Sequence, residues 1–123
     1  MTRGLLLFAH GARDPNWATP FDEVARRVRE AAPDLAVELA FLEFMTPDIA
    51  TAGARLAGRG CDTVSVVPLF LGAGGHVRKD LPALLEELSR AHPQVRWQLQ
   101  PAVGELAPVI EAMARMALSL AGD

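Results

Sequence analysis

Hydrophobic positions along the chain fall into short continuous runs separated by stretches where apolar residues recur every three or four places. Residues 4–9 are all apolar or glycine, the pattern of a strand buried on both faces. Residues 14–16 form a loop. Thr19-Pro20 then has the form of an N-cap followed by proline at the first helical position, with Asp22 and Glu23 in the first turn. Phe21, Val24, Ala25 and Val28 recur at helical spacing, and Pro33-Asp34 ends that helix. Residues 35–42 predict a second strand, with Glu38 its one polar interruption. Thr46-Pro47-Asp48 repeats the cap-and-proline pattern. It opens a helix whose inner face is Ile49, Ala52, Gly53 and Leu56, closed by Gly58 and Gly60. Residues 63–69 are the most β-branched run and predict a third strand. Asp80 is placed to cap a third helix with the stripe Leu81, Leu84, Leu85 and Leu88, ended by His92-Pro93. Residues 95–99 alternate as an edge strand does. Residues 105–120 predict a last helix, with Leu106, Val109, Ile110, Met113, Met116 and Leu120 expected to face inward. Strand and helix thus alternate four times. This predicts an α/β fold over residues 1–123: one three-layer domain, a four-stranded parallel sheet with helices on both faces.

Two of the strand ends share a layout that the periodicity does not explain. Leu5-Leu6-Leu7-Phe8-Ala9 runs into His10-Gly11-Ala12-Arg13. Pro68-Leu69-Phe70-Leu71 runs into Gly72, Gly74, Gly75 and His76, followed by Arg78 and Lys79. Parallel sheets bind ligands beyond the carboxyl ends of their strands. With strand order 2-1-3-4, the ends carrying His10, Glu43 and His76 become neighbours on one edge. Two imidazoles and a carboxylate are donors, or bases, suited to a divalent transition ion. Arg13, Arg78 and Lys79 are either solvated charges or a cationic rim for a substrate bearing carboxylates. His92, in a helix-ending turn, reads as structural.

Composition narrows the classes. Half the residues are hydrophobic and 22% charged, as in a folded globular chain. The net charge is −3, from 12 basic and 15 acidic residues, which argues against a nucleic-acid binder. Cys61 is the single cysteine, so it has no disulfide partner, and it is expected to be a buried thiol. No apolar run approaches the roughly 18 residues of a membrane span, and no leader pattern opens the chain, so a cytoplasmic protein is expected. GxxxxGK[ST], GxSxG and HExxH are all absent, and the glycines at 72, 74 and 75 lack dinucleotide-fingerprint spacing.

The segments LLLFAHGARDP (5–15), FLE (41–43) and VVPLFLGAGGHVRKDLP (66–82) resemble the CbiX/SirB sirohydrochlorin chelatases, the ATP-independent class. The likeness spans nearly the whole chain, and the third segment is highly specific. It implies a chelatase-like fold and insertion of Co²⁺, with Fe²⁺ or Ni²⁺ as alternatives, into sirohydrochlorin in cobalamin or siroheme synthesis. No cofactor is implied beyond that substrate metal. It also implies that His10 and His76 are the metal-binding and proton-accepting pair, that Glu43 assists, and that the short form pairs as a homodimer. Many relatives carry serine where this chain has Ala12, and the histidine-rich tail of some is absent.

The chemistry is consistent with this. A tetrapyrrole loses two pyrrole protons as it takes up M²⁺, and histidine, titrating near neutrality, can both accept a proton and present a metal. A site with few protein ligands leaves positions for ring nitrogens. Gly72, Gly74 and Gly75 let a flat macrocycle approach the backbone, with Phe44, Met45 and Leu71 against its face. Arg13, Arg78 and Lys79 would pair with its carboxylates. Two other readings stand beside this one. One is a delivery protein that binds metal or tetrapyrrole without accelerating insertion. The other is a phosphocarrier resembling the mannose-type sugar-transport domains, which would use His10 but leave Glu43 and His76 without a role.

Overall fold

The central strand, β1 (Thr2–Ala9), carries Leu6 and Phe8 on one face and Leu7 and Ala9 on the other, all four buried. A strand covered on both sides can afford no polar position there, which is why its sequence is a continuous apolar run. The computed structural model describes residues 2–72 and 74–122, with the backbone alone at positions 75, 76 and 78. β2 (Ala36–Phe41) and β3 (Cys61–Pro68) flank β1, and β4 (Arg96–Leu99) lies outside β3. All pairs are parallel and the order is β2-β1-β3-β4, as expected. Ala9 pairs with Phe41 and Phe8 with Pro68, so the three central strands end level with one another.

The larger core lies on the face covered by α2 (Ile49–Gly58) and α3 (Gly75–Ala91). Leu6, Phe8, Val64 and Val66 meet Ile49, Leu56, Leu81 and Leu88 there. Each such side chain contributes about 1.5–3 kcal/mol through burial. The opposite face is covered by α1 (Thr19–Ala31) over Leu7, Val37, Leu39 and Phe41. Glu38, the polar interruption in β2, accepts from Arg55 at 3.3 Å and lies 3.8 Å from Arg59. Cys61 is buried as expected, and burial pushes its thiol pKa up, away from reactivity.

The helix starts differ from the sequence expectation. Asp14 Oδ1 accepts from the Asn16 amide at 2.9 Å and caps a 3-10 turn, Pro15–Ala18, so Thr19 is already inside the helical path and Ala18 is the N-cap of α1. Asp48, not Thr46, caps α2, its Oδ1 accepting from the Thr51 amide at 2.8 Å. That bond holds its carboxyl below the usual range. α3 begins at Gly75 with Gly74 as N-cap, so Asp80 lies within the helix instead of capping it. Capping preference ranks candidate residues, but strand length and loop geometry decide which of them is reached.

The largest departure is the last helix, α4 (Ala107–Ala121). It has no buried residue. Ile110, Met113 and Met116 are 41–58% exposed, and Leu118 and Leu120 more so. Periodicity reveals that a helix has an apolar face, but not whose surface covers it. No described helix is long and apolar enough to cross a membrane.

Candidate functional site

The level strand ends bring the β1 and β2 exits into direct contact. The Leu42 amide donates to the Ala9 carbonyl at 2.9 Å, and the Glu43 amide donates to the His10 carbonyl at 3.0 Å. These two bonds continue the sheet pairing one step past its end and fix Glu43 beside His10. Gly11 makes this possible. Its φ is +87°, and a Cβ there would fall 1.9 Å from the Glu43 carbonyl oxygen, so no other residue fits without moving one of the two loops.

His10 is half-buried, and its ring rests on Phe70, centroids 4.2 Å apart at 34°. Phe70 is buried and packs in turn near Phe8, centroids 6.0 Å apart. The imidazole is therefore oriented from below by the core. No described residue hydrogen-bonds to its ring nitrogens. Phe70 carries no functional signal in the sequence, because it lies within the apolar run Pro68-Leu69-Phe70-Leu71 and has no polar group. Its position two residues past Pro68, the last residue of β3, is the only hint.

Beyond Glu43 the chain turns sharply. Phe44 adopts φ 65°, the left-handed region that bulky residues avoid, at a cost of about 1 kcal/mol. The residue is 58% exposed, and its ring lies under the Arg13 guanidinium, 4.8 Å from centroid to charge. A cation over an aromatic face at this distance is attractive. The pairing joins two residues that the sequence placed separately, one in the rim and one against the ligand. A cavity of about 530 Å³ extends from Glu43 and Phe44 along Asp48, Thr51 and Arg55. His10 is not among its walls, so that cavity is an annex of the β2 exit and not the place where the strand ends converge. Met45 is half-buried against the core under α1, which leaves only its edge free.

The β3 exit is built differently. The Leu69 amide donates to the Phe8 carbonyl at 2.7 Å and keeps the chain beside β1 for one more residue. Leu71 then stands 67% exposed. A Cβ added at Gly72 or Gly74 would meet no atom within 4 Å, and Gly74 has an ordinary φ of −63°. Neither packing nor backbone conformation calls for glycine at 74. His76 lies in the first turn of α3 and not in a loop. The readings of the His76 and Arg78 side chains lie outside the described residues. Lys79 is exposed. Among the described residues no three His, Cys, Asp or Glu side chains stand close enough to hold a metal, so any such set must draw on a residue outside them. His92 ends α3, with its carbonyl accepting from the Trp97 indole at 3.4 Å, a structural position as expected.

The CbiX family model matches residues 4–119, which contain all of these strand exits. The chain belongs to the CbiX family. It is 41% identical over 85 residues to a sirohydrochlorin cobaltochelatase of Sulfurisphaera tokodaii, covering 69% of each chain. It is 38% identical over 86 residues to the Sulfolobus acidocaldarius protein of the same name, covering 70% of this chain and 68% of that one. The family likeness extends to solved structures. The CbiX protein of Marinobacter aquaeolei VT8 superposes with a TM-score of 0.83 at 32% identity, covering 95% of both chains. The Bacillus subtilis subspecies spizizenii SirB chelatase in complex with cobalt shares the fold at TM-score 0.82 and 24% identity, with 95% of this chain matching 50% of that one.

Proposed function

We propose that this CbiX-family chain is an ATP-independent chelatase that inserts a divalent metal into sirohydrochlorin, with Co²⁺ the first candidate and Fe²⁺ and Ni²⁺ behind it. The observation that carries the reading is the direct joining of the β1 and β2 exits. It joins the backbones of His10 and Glu43 at the edge where β3 delivers an open glycine turn, with the His10 ring seated on Phe70. Curated relatives at 41% and 38% identity bear the name sirohydrochlorin cobaltochelatase.

The reaction replaces two pyrrole N–H protons by one M²⁺ and releases two protons. A base must stand at the ring face, together with a donor that holds the ion loosely enough to surrender it. His10 and His76 form that pair, and Glu43 assists as a further ligand or proton acceptor. Phe70 fixes the imidazole plane, so its reorientation costs nothing at the moment of transfer. The open space at Gly72 and Gly74, with Gly75 beside them, admits the flat macrocycle. Phe44, Leu71 and the edge of Met45 offer it apolar contact. Arg13, Arg78 and Lys79 grip its carboxylates, and the position of Arg13 over Phe44 places that charge at the rim.

The working form is a homodimer. This chain matches about half of the Bacillus SirB chain, and 99% of it matches 49% of the CbiX chain described as the terminal enzyme for biosynthesis of siroheme in denitrifying bacteria (TM-score 0.64, 32% identity). A second copy would supply what the remaining half of those longer chains supplies.

The test is an anaerobic absorbance assay with sirohydrochlorin and Co²⁺, Fe²⁺ or Ni²⁺. Insertion faster than the uncatalysed rate is expected, greatest with Co²⁺. Tight binding of metal or tetrapyrrole without acceleration would indicate a delivery protein. Stable labelling of His10 by a phosphohistidine donor would indicate a phosphocarrier.

A further inference from the structure

Phe44 stands where its residue type is disfavoured. It is the central residue of a three-residue turn, closed by the Met45 amide donating to the Glu43 carbonyl at 2.8 Å, and its φ of 65° lies in the left-handed region. Glycine or asparagine enters that region at little cost, and a bulky side chain does not. Core packing does not account for the choice. Phe44 is more than half exposed and belongs to neither core cluster. The turn itself has a fixed place, because the Glu43 carbonyl lies against Gly11 and the Glu43 amide donates to the His10 carbonyl. A strained aromatic that the fold does not bury points to a task outside folding.

The ring meets Arg13, whose guanidinium lies over it at 4.8 Å. The backbone on either side of Arg13 is held, at Gly11 by its close approach to Glu43 and at Asp14 by its cap on the Pro15–Ala18 turn. The Arg13 side chain is exposed. Arg26, Arg27 and Arg55 have carboxylate partners in Glu23, Glu30 and Glu38, which occupy their N–H donors. Among the described residues no carboxylate pairs with Arg13. An aromatic face attracts a guanidinium through its flat side and leaves the N–H edge free. Arg13 is thus held in place with its donors still open to a ligand.

We infer that Phe44 is a positioning residue that acts through Arg13. Its ring holds the Arg13 guanidinium at the rim of the site, ready to receive a carboxylate of the tetrapyrrole edge-on, and the left-handed turn is kept because it aims that ring. An arginine free in solvent loses rotamer freedom when it grips a ligand. One already resting on a ring loses less, and the difference appears as affinity. The inference rests on the sirohydrochlorin reading above for the identity of the ligand, and adds to it the residue that prepares the grip.

Anaerobic absorbance titration of metal-free sirohydrochlorin into the full chain tests it, with wild type, Phe44→Gly, Arg13→Gln and the double variant compared by Kd and their folds followed by urea unfolding. Arg13→Gln should weaken binding about tenfold, the scale of a lost charged hydrogen bond. Phe44→Gly fits the left-handed turn, so the urea midpoint should hold or rise. Binding should nevertheless weaken about two- to fivefold, the scale of an exposed cation–π contact. In the Arg13→Gln background the same substitution should have no further effect on binding. Phe44→Trp should keep wild-type affinity, and Phe44→Leu, apolar without an aromatic face, should not. A Phe44→Gly loss that persists without Arg13 overturns the inference and makes Phe44 a direct contact of the macrocycle. A lowered urea midpoint also overturns it, since the fold would then need the ring. A wild type that binds sirohydrochlorin without inserting metal overturns the chelatase reading alone, and one that does not bind it overturns both.

Discussion

The two halves of the candidate site are built by opposite means. At the β1–β2 exits everything is pinned: two backbone hydrogen bonds join the loops, Gly11 sits where any side chain would strike Glu43, and Phe70 backs the His10 ring. At the β3 exit the chain opens. Leu71 projects into solvent, and among the described residues nothing lies within 4 Å of a Cβ added at Gly72 or Gly74. One glycine is required by packing and the others are not. The pinned half has the rigidity needed to hold a base and an ion in register. The open half has the room a large flat ligand needs. Preorganisation and access are thus assigned to different strands.

Substitutions can break this contrast in graded steps. The largest effect is expected from His10→Ala, which should lower metal insertion by at least about 100-fold while circular dichroism still reports a folded chain. Gly11→Ala should act on the fold, costing about 1–3 kcal/mol in denaturant unfolding, because both its φ and the Glu43 carbonyl oppose a Cβ. Gly74→Ser sharpens the comparison. Serine is a good N-cap, so unfolding stability should change by only a few tenths of a kcal/mol. The Michaelis constant for sirohydrochlorin should rise about tenfold, the scale of a single misfit group in a pocket. A variant equally weakened in stability would show that Gly74 serves the fold after all.

Smaller effects are expected away from the contrast. Asp48→Ala removes the cap of α2 and should cost about 1 kcal/mol at neutral pH. Because the folded carboxyl titrates below its ordinary value of 3.8, that contribution is present above this value and is lost as pH falls through the lowered one. The wild-type advantage over Asp48→Ala should therefore shrink in acid. His92→Ala should leave metal insertion unchanged, since its carbonyl and its ring, 6.1 Å from the Trp97 indole, both serve the turn between α3 and β4 and not the strand exits.

Much of this arrangement was legible in the residues. Strands buried on both faces announce themselves as apolar runs, and the runs over residues 4–9, 35–42 and 63–69 marked the three central strands, whose supposed order the strand pairing bears out. Glycine and histidine immediately after such runs marked the site edge. What stayed hidden depends on three-dimensional neighbours. The exposure of α4 could not be read from its stripe, because an apolar face looks the same whether the surface that covers it belongs to its own chain or to another. Phe70 reads as one more core residue until its ring is found under His10. Arg13 and Phe44 are separated by thirty residues and meet only because Phe44 takes a left-handed turn that no local propensity favours. Helix starts shifted for the same reason: Asp80 is a good cap in isolation, but α3 had already begun five residues earlier.

The central claim is that the pinned and open halves form one site, with His10 and His76 acting on the same substrate. A double-mutant cycle on the anaerobic Co²⁺ insertion rate tests it most directly, comparing wild type, His10→Ala, His76→Ala and the double variant. Residues acting as a unit give grossly non-additive losses, so the double variant is expected to be little slower than either single one. Losses that multiply would contradict the claim by placing the two histidines in separate roles, and wild-type rates in both single variants would remove the site from this edge altogether.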